Sequence, residues 1–473
     1  MARDPVLLTA SAVAAAVGGR LVQGDADRRF DGVSIDSRTV GRGQLFIGIR
    51  GERFDGAAYA GSAAAAGAAG VVVPRGSGMV RVLVPEGGDT VVIEVDETVA
   101  ALQALGRHVR RESGARVTAI TGSAGKTTTK EIAAEFLAAR FSVFRNEGNL
   151  NNHIGLPLSL VELRTRPDIA VVELGMNHAG EIRTLVALAE PEMRVWTNVG
   201  DAHIGYFDSA DAIADAKAEI LEQADARTVL VANADDPRVM ARTRGFAGRV
   251  VTFGRSEGAD VRATDIVDSS VDGTSARVRT PSGEGRLDVP LAGLGNLANV
   301  LAAAAVADTW GVPFDAIART AAALRPARRR GEVVALRAGV TLVDDSYNSS
   351  PAALKTALGT LARDRRHTRR VALLGEMLEL GVHAVPLHEA CGRAAAESGL
   401  AVLVAVGGRP AERLAAAARD AGMPAGAVRH VGTAAGAAAM VPELLQPGDL
   451  VLVKGSRGLR MDVVADRVRD EWR

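Results

Sequence analysis

The chain has 473 residues, which at about 100–200 residues per domain gives two to four domains with three as the central value. Lysine plus arginine and aspartate plus glutamate both number 56, so the formal charge is zero and the cation excess of a sequence-independent nucleic-acid binder is absent. A single cysteine excludes a disulfide framework or a cysteine zinc cluster, and no apolar run reaches the roughly 18 residues of a membrane span. With no secretion-signal layout at its start, a cytoplasmic multidomain protein is expected.

The first ninety or so residues read as short strands with one Ala-rich helix. FDGVSID and QLFIGIRG alternate, Tyr59 to Gly70 is small and helical, and VVVP and TVVIEV return to strand. A helix is predicted from about Thr98 to Glu112. From Val117 buried-strand runs (VTAIT, DIAVVELG, MRVWTNVG, TVLVAN, RVVTFG) alternate with helical stretches such as Gly180 to Leu188 and Asp211 to Gln223, the pattern of a parallel sheet covered on both faces. Ala259 to Pro290 alternates polar and apolar, an antiparallel annex, and Asn296 to Thr309 is an Ala-rich helix. After RPARRRGEV the alternation restarts with VTLVDDS, RRVALLGEM, LAVLVAVG, AVRHVG and DLVLVKGS, a second doubly wound pattern.

The strongest local signal is Gly122-Ser123-Ala124-Gly125-Lys126-Thr127-Thr128, after a strand and opening a helix. Backbone N–H groups in such a turn point at phosphate oxygens, the helix N-terminus favours anions, Lys126 suits the β- and γ-phosphates and a threonine hydroxyl suits magnesium. Ile120 stands where the usual phosphate loop has its first glycine. The plain alternative is an ordinary glycine-rich turn. Glu173 ends a strand, where open α/β sheets place ligands. His203 follows another strand and could be a ligand, though a lone loop histidine reads more often as structural; Lys217 lies on a helix and reads most simply as a solvated lysine. Asn149, Asn151 and Asn152 offer amide contacts or merely a turn. Arg330 belongs to a basic cluster that clamps phosphate or lines a linker. Asp345 and Asn348 in DDSYNSSP suit ribose hydroxyls, and Lys454, Ser456 and Arg457 in LVKGSRG suit an anion, although either segment reads also as a capped turn.

Taken together and in this order, these segments resemble the Mur ligases of peptidoglycan synthesis over essentially the whole chain. Ser34-Ile-Asp-Ser-Arg38 and GERFDG are similar to the family's uridine-nucleotide domain, TGSAGKTT to its own short phosphate loop, and GNLNNHIGLP, ELGMNHAGEI, DAHI and AKAEI to its central domain. GLGNLANVLAAAA, DDSYNSSP and LVKGSR are similar to its adenine, ribose and closing segments. The resemblance implies an α/β fold of three domains. A small UDP-binding domain spans 1–95, a central parallel-sheet ATPase domain with the phosphate loop 96–326, and a Rossmann-like doubly wound ligase domain 327–473. It implies ATP and two magnesium ions as cofactors. Carried over by position, Lys126 is the phosphate-loop lysine, and Thr127, Glu173, His203 and Lys217 hold magnesium, Lys217 as a carbamate. Asn296 and Asn299 lie on the adenine side, Arg330 reaches the ATP phosphates and Asp345 the ribose. Ser37, Arg38, Asn149, Asn151, Asn152, Asn348, Lys454, Ser456 and Arg457 are expected on the substrate. Gly295 stands where many members have histidine, and Arg329 where glycine is common. The implied activity joins D-alanyl-D-alanine to UDP-N-acetylmuramoyl-tripeptide through an acyl phosphate, in a cytoplasmic monomer with no nucleic-acid partner and no membrane span. The competing readings are a sibling ligase adding the third amino acid, a folylpolyglutamate-synthase-like ligase, and a nucleotide-dependent switch.

Overall fold

A computed structural model describes residues 4–51, 55–76, 89–148, 150–268 and 270–473. Asn149 and residues 52–54 of GERFDG lie outside the described residues. The chain divides into two compact units, one of residues 1–119, 141–176 and 180–193, the other of residues 120–140, 177–179 and 194–473.

The first unit holds a five-stranded sheet ordered Arg20–Gln23, Val91–Val95, Gly70–Pro74, Leu45–Ile47, Val33–Ser34. Its pairs are parallel except at the Arg20–Gln23 edge. Strand alternation puts Phe46, Val71, Val73 and Val92 into one apolar cluster with Ala57, Ala60 and Ala63, whose small side chains fit closely there. The predicted helix forms as Thr98–Ser113, capped at its start by the Glu97 carboxylate and ended by left-handed Gly114. Its buried Ala101, Leu102, Leu105 and Val109 recur at helical spacing. Strands Val143–Arg145 and Ile169–Glu173 pair in parallel in the same unit.

In the second unit Val229–Asn233, Arg249–Gly254 and Val261–Asp268 run parallel, and the expected annex is there: Thr274–Thr280 and Gly283–Val289 continue antiparallel. A second sheet of six strands is ordered Glu332–Ala335, Thr341–Asp345, Asp449–Lys454, Arg369–Gly375, Val402–Val406, Val428–Val431, all parallel but the first pair. That is the doubly wound pattern predicted for the C-terminal third. Every residue of Asp449–Lys454 is buried, including both charged ends. The Asp449 carboxylate accepts from the Arg369 guanidinium and the Gln446 N–H, and buried Asp344 from Arg469 at 2.6 Å and the Ser346 hydroxyl at 2.6 Å. Pairing of this kind is what makes a buried charge tolerable. No described helix is long and apolar enough to cross a membrane.

Gly106 in helix Thr98–Ser113 lets that helix sit directly on Gly155–Val161, and a Cβ there would meet the Pro157 carbonyl oxygen at 2.7 Å and its Cα at 2.9 Å. Gly106→Ala gains about 1 kcal/mol of helix propensity but overpacks a rigid backbone contact at about 1–3 kcal/mol. The expected outcome is net destabilisation, read as a lower midpoint in chemical denaturation.

Candidate active site

The phosphate loop forms as the sequence predicts, between strand Arg116–Thr121 and helix Lys126–Ala138. Gly125 caps the helix at φ 81, a left-handed conformation that favours glycine. There is also no room for a side chain. A Cβ at Gly122 would lie 1.9 Å from Thr197 Oγ1, and one at Gly125 2.2 Å from Asn299 Oδ1. The missing first glycine at Ile120 costs nothing, because Ile120 is a buried strand residue and the turn begins only at Gly122.

The loop is clasped by the segment after strand Met193–Trp196. Ala124 N–H donates to Asn198 Oδ1 at 2.8 Å, while Asn198 Nδ2 and the Thr197 hydroxyl donate to the Ala124 carbonyl at 3.0 and 2.8 Å. The Ser123 hydroxyl accepts from Gly200 N–H at 2.8 Å and donates to its carbonyl at 3.1 Å. From the other side the Thr129 hydroxyl donates to Asn299 Oδ1 at 3.3 Å, Asn299 Nδ2 to Asn296 Oδ1 at 3.3 Å, and Asn296 Nδ2 to the Ala292 carbonyl at 2.9 Å. Asn296 and Asn299, expected on the adenine side, here brace the loop. Lys126 Nζ folds back onto the Gly122 carbonyl at 2.7 Å. Sequence reasoning gave Thr197 and Gly200 no part in this; their only signal was a strand end of the kind that carries ligands.

Lys217 is 1% exposed. It sits on the inward face of helix Ala210–Ala218 with Ile213 and Ala214, while Asp211 and Asp215 on that helix turn out to Arg238 and Arg242. The surface-lysine reading therefore fails. Burial first, and the Lys126 charge second, push the Lys217 ammonium well below its ordinary range. Among the described residues no carboxylate lies within ion-pair distance of it, so nothing compensates a charged form. His203, at φ 65 in the turn after Asp201, has its Nδ1 2.6 Å from Glu379 Oε2. The adjacent His203 ring holds the Glu379 carboxyl below its usual range. No group of three His, Cys, Asp or Glu side chains able to hold a metal occurs among the described residues.

In the C-terminal sheet Lys454 is buried and donates to Asp345 Oδ2 at 2.6 Å and the Asn348 carbonyl at 3.0 Å. The lysine expected on an anion is thus the partner of the aspartate expected on ribose. The Ser456 hydroxyl accepts from Leu378 N–H at 2.9 Å. Arg330 lies 3.9 Å over the centre of the Tyr347 ring and Arg457 5.6 Å from it, so one ring gathers two guanidinium groups. Arg329 takes φ 62, a left-handed conformation that favours glycine. Its guanidinium pairs with Asp462 at 3.1 Å and Asp466 at 2.8 Å, a compensation glycine cannot offer. Gly295 faces Thr356, whose Cγ2 would lie 3.2 Å from an added Cβ.

In the first unit Glu173 ends its strand, nearly fully buried, and its Oε1 accepts from Asn151 Nδ2 at 2.7 Å. Asn152 Oδ1 accepts from Gly155 N–H at 2.8 Å, starting the helix Gly155–Val161, so a turn role holds for this asparagine. Arg38 grips Asp36 through two nitrogens at 2.9 and 2.6 Å and holds that carboxyl at about 2, with Ser37 half-buried between them.

Family models match the chain in three consecutive stretches: Mur ligase family, catalytic domain, at 29–110; Mur ligase middle domain at 120–307; and Mur ligase, glutamate ligase domain, at 329–457. A UDP-N-acetylmuramoyl-tripeptide–D-alanyl-D-alanine ligase of Bacillus subtilis is 31% identical over 92% of this chain and 92% of its own. The chain belongs to the Mur ligase family. An Escherichia coli enzyme of the same name is 33% identical over 94% of this chain and 95% of its own. The crystal structure of MurF from Acinetobacter baumannii superposes with a TM-score of 0.87 at 29% identity, covering 99% of this chain and 100% of its own. That of MurF from Thermotoga maritima in complex with ADP gives 0.81 at 28%, covering 93% and 97%. Mycobacterium tuberculosis folylpolyglutamate synthase, at 18% identity and 0.61, shares the fold alone. The three-domain α/β architecture expected from the sequence is that of this family.

Gly125→Ala tests the loop. The methyl group would enter the Asn299 carboxamide and the left-handed φ resists it, so the loop must distort. The expected outcome is loss of most ATP affinity by calorimetry with little change in the thermal unfolding of the rest.

Proposed function

We propose that this chain is the ATP-dependent ligase that joins D-alanyl-D-alanine to UDP-N-acetylmuramoyl-tripeptide in peptidoglycan precursor synthesis. The observation that carries the reading is likeness along almost the whole chain to ligases of that one name, at 31–34% identity. The geometry of the phosphate loop supports its ATP half. Domain limits near residues 95 and 326, a monomeric state and a cytoplasmic location belong to the same reading.

The chemical problem is a carboxylate that does not acylate an amine at neutral pH, because oxide leaves poorly. A carboxylate oxygen takes the γ-phosphoryl group of ATP and ADP departs. The dipeptide amine then attacks the carbonyl carbon, loses a proton, and the tetrahedral intermediate expels phosphate. Each step concentrates negative charge, so positioned cations supply most of the catalysis. Lys126 leaves the Gly122 carbonyl for the β- and γ-phosphates, cradled by residues Gly122 to Thr128. Arg330, steadied on Tyr347, meets the phosphates from the C-terminal side, Asp345 takes the ribose, and Asn296 and Asn299 hold the nucleotide side of the loop. With Lys454 neutralised by Asp345, contact with an anionic substrate group falls to Arg457, beside Asn348 and Ser456. Ser37 and Arg38 are assigned to the uridine end, and Asn149, Asn151 and Asn152 to the substrate-facing turn.

Thr127, Glu173, His203 and Lys217 would hold two magnesium ions, which when bound offset phosphate charge. The residues fit hard cations on one condition: Lys217 must be an anion. Its burial without a carboxylate favours the neutral amine. That nitrogen adds to the carbon of carbon dioxide, loses a proton, and becomes a carbamate with two oxygen donors.

Phosphate release with UDP-N-acetylmuramoyl-tripeptide and D-alanyl-D-alanine together, against controls lacking either, tests the activity; release that needs only ATP would support the switch reading instead. Lys126→Ala should lower turnover by about 10²–10³-fold or more in a folded protein. Lys217→Ala should lower activity sharply, with partial rescue by small carboxylates in solution. Acidification protonates the amine and sheds carbon dioxide, so bicarbonate should raise activity most at mildly acidic pH. Full activity of Lys217→Ala would return that residue to a packing role.

A further inference from the structure

The loop after strand Arg369–Gly375 is pinned at every residue before Glu379. Glu376 N–H donates to the Val406 carbonyl at 2.8 Å, and its carboxylate accepts from Gly408 N–H at 2.7 Å. Met377 N–H donates to His388 Nε2 at 2.9 Å, and His388 Nδ1 lies 2.7 Å from the Ala384 carbonyl, so this buried ring is neutral with its proton on Nδ1. Leu378 N–H donates to the Ser456 hydroxyl at 2.9 Å. The chain then turns at Glu379 through φ 64, in the left-handed region that non-glycine residues rarely adopt. This rigid approach delivers Glu379 Oε2 to 2.6 Å from His203 Nδ1. His203 is itself at φ 65, and Gly205 N–H donates to the Glu379 carbonyl at 2.9 Å. The ring N–H is not aligned on that carboxylate for a hydrogen bond, and Nδ1 has no other hydrogen-bond partner among the described residues. Two unfavourable backbone conformations facing one another, each held by its surroundings, mark a functional contact rather than a chance ion pair.

We propose that Glu379 is a positioning residue for His203. By accepting the Nδ1 proton, it fixes the tautomer whose Nε2 carries the lone pair and sets the direction in which that lone pair points. The carboxylate comes from the C-terminal third of the chain and the imidazole from the middle, so the metal-binding form of His203 depends on the C-terminal sheet being in place. The proposal rests on the reading of His203 as a metal ligand.

The test uses the full-length protein with a non-hydrolysable ATP analogue and Mn²⁺ as the probe, with free Mn²⁺ followed by electron paramagnetic resonance. E379A should weaken Mn²⁺ binding about 10–100-fold. It should leave analogue affinity in EDTA unchanged and lower kcat more than it raises the KM for the tripeptide. E379Q, whose amide oxygen still accepts the N–H, should recover much of the Mn²⁺ affinity. If E379A binds Mn²⁺ as the unsubstituted protein does while H203A loses it, the positioning role is wrong. If H203A also keeps its Mn²⁺, the ligand reading of His203 falls, and this proposal with it. An equal loss of analogue affinity in EDTA would make Glu379 merely structural. Should E379A fail to melt cooperatively, E379D replaces it: the shortened carboxylate should lose Mn²⁺ affinity where E379Q keeps it, and the reverse order overturns the proposal.

Discussion

The phosphate loop leaves no space for one additional carbon at Gly122 or Gly125, and much of the second unit is arranged to keep it so. Thr197, Asn198 and Gly200 close over one side, and the Asn296–Asn299 ladder supports the other. One side comes from the segment after strand Met193–Trp196 and the other from helix Gly293–Thr309. The loop's shape is therefore a property of the assembled sheet and not of its own glycines. A backbone prepared in this way meets phosphate with its dipoles already aligned, which is where preorganised electrostatics gains its advantage over water.

Buried charge separates structural from chemical residues in this chain. Asp344 with Arg469, Asp449 with Arg369 and Lys454 with Asp345 are matched pairs whose desolvation is offset locally. Lys217 has the burial with no carboxylate partner among the described residues, and it feels the like charge of Lys126. Burial of this kind disfavours the ammonium form. Two buried lysines thus differ in their surroundings: Lys454 ends an apolar strand and meets the Asp345 carboxylate, while Lys217 lies on a helix and meets none among the described residues.

The periodic elements were legible in the sequence because burial has a period. The alternating strands, the antiparallel annex and the helix beginning at Lys126 all formed where apolar spacing put them. The phosphate loop was legible because glycines and a lysine between strand and helix have few other uses. What sequence could not supply were pairings across long separations. Nothing local to Glu379 points to His203, 176 positions earlier by their numbers. Arg329 looked like a departure from the family pattern, and only its φ 62 and its two aspartates explain how a side chain survives there. Lys217 read as solvated from composition, since a short helix carrying Asp211 and Asp215, with Glu219 just beyond, hides which face is inward.

Gly205 and Gly381 touch backbone to backbone. A Cβ on Gly205 would lie 2.6 Å from the Gly381 nitrogen, and one on Gly381 2.9 Å from the Gly205 Cα. Most seams between parts of a protein are upholstered with side chains, and substitution can shift them gradually. A seam of bare main chain has no such adjustable layer. The segment that carries His203 and the loop that carries Glu379 therefore share a fixed datum, and drift in the surrounding surface residues can change how strongly the two parts cohere without changing the register at which they meet.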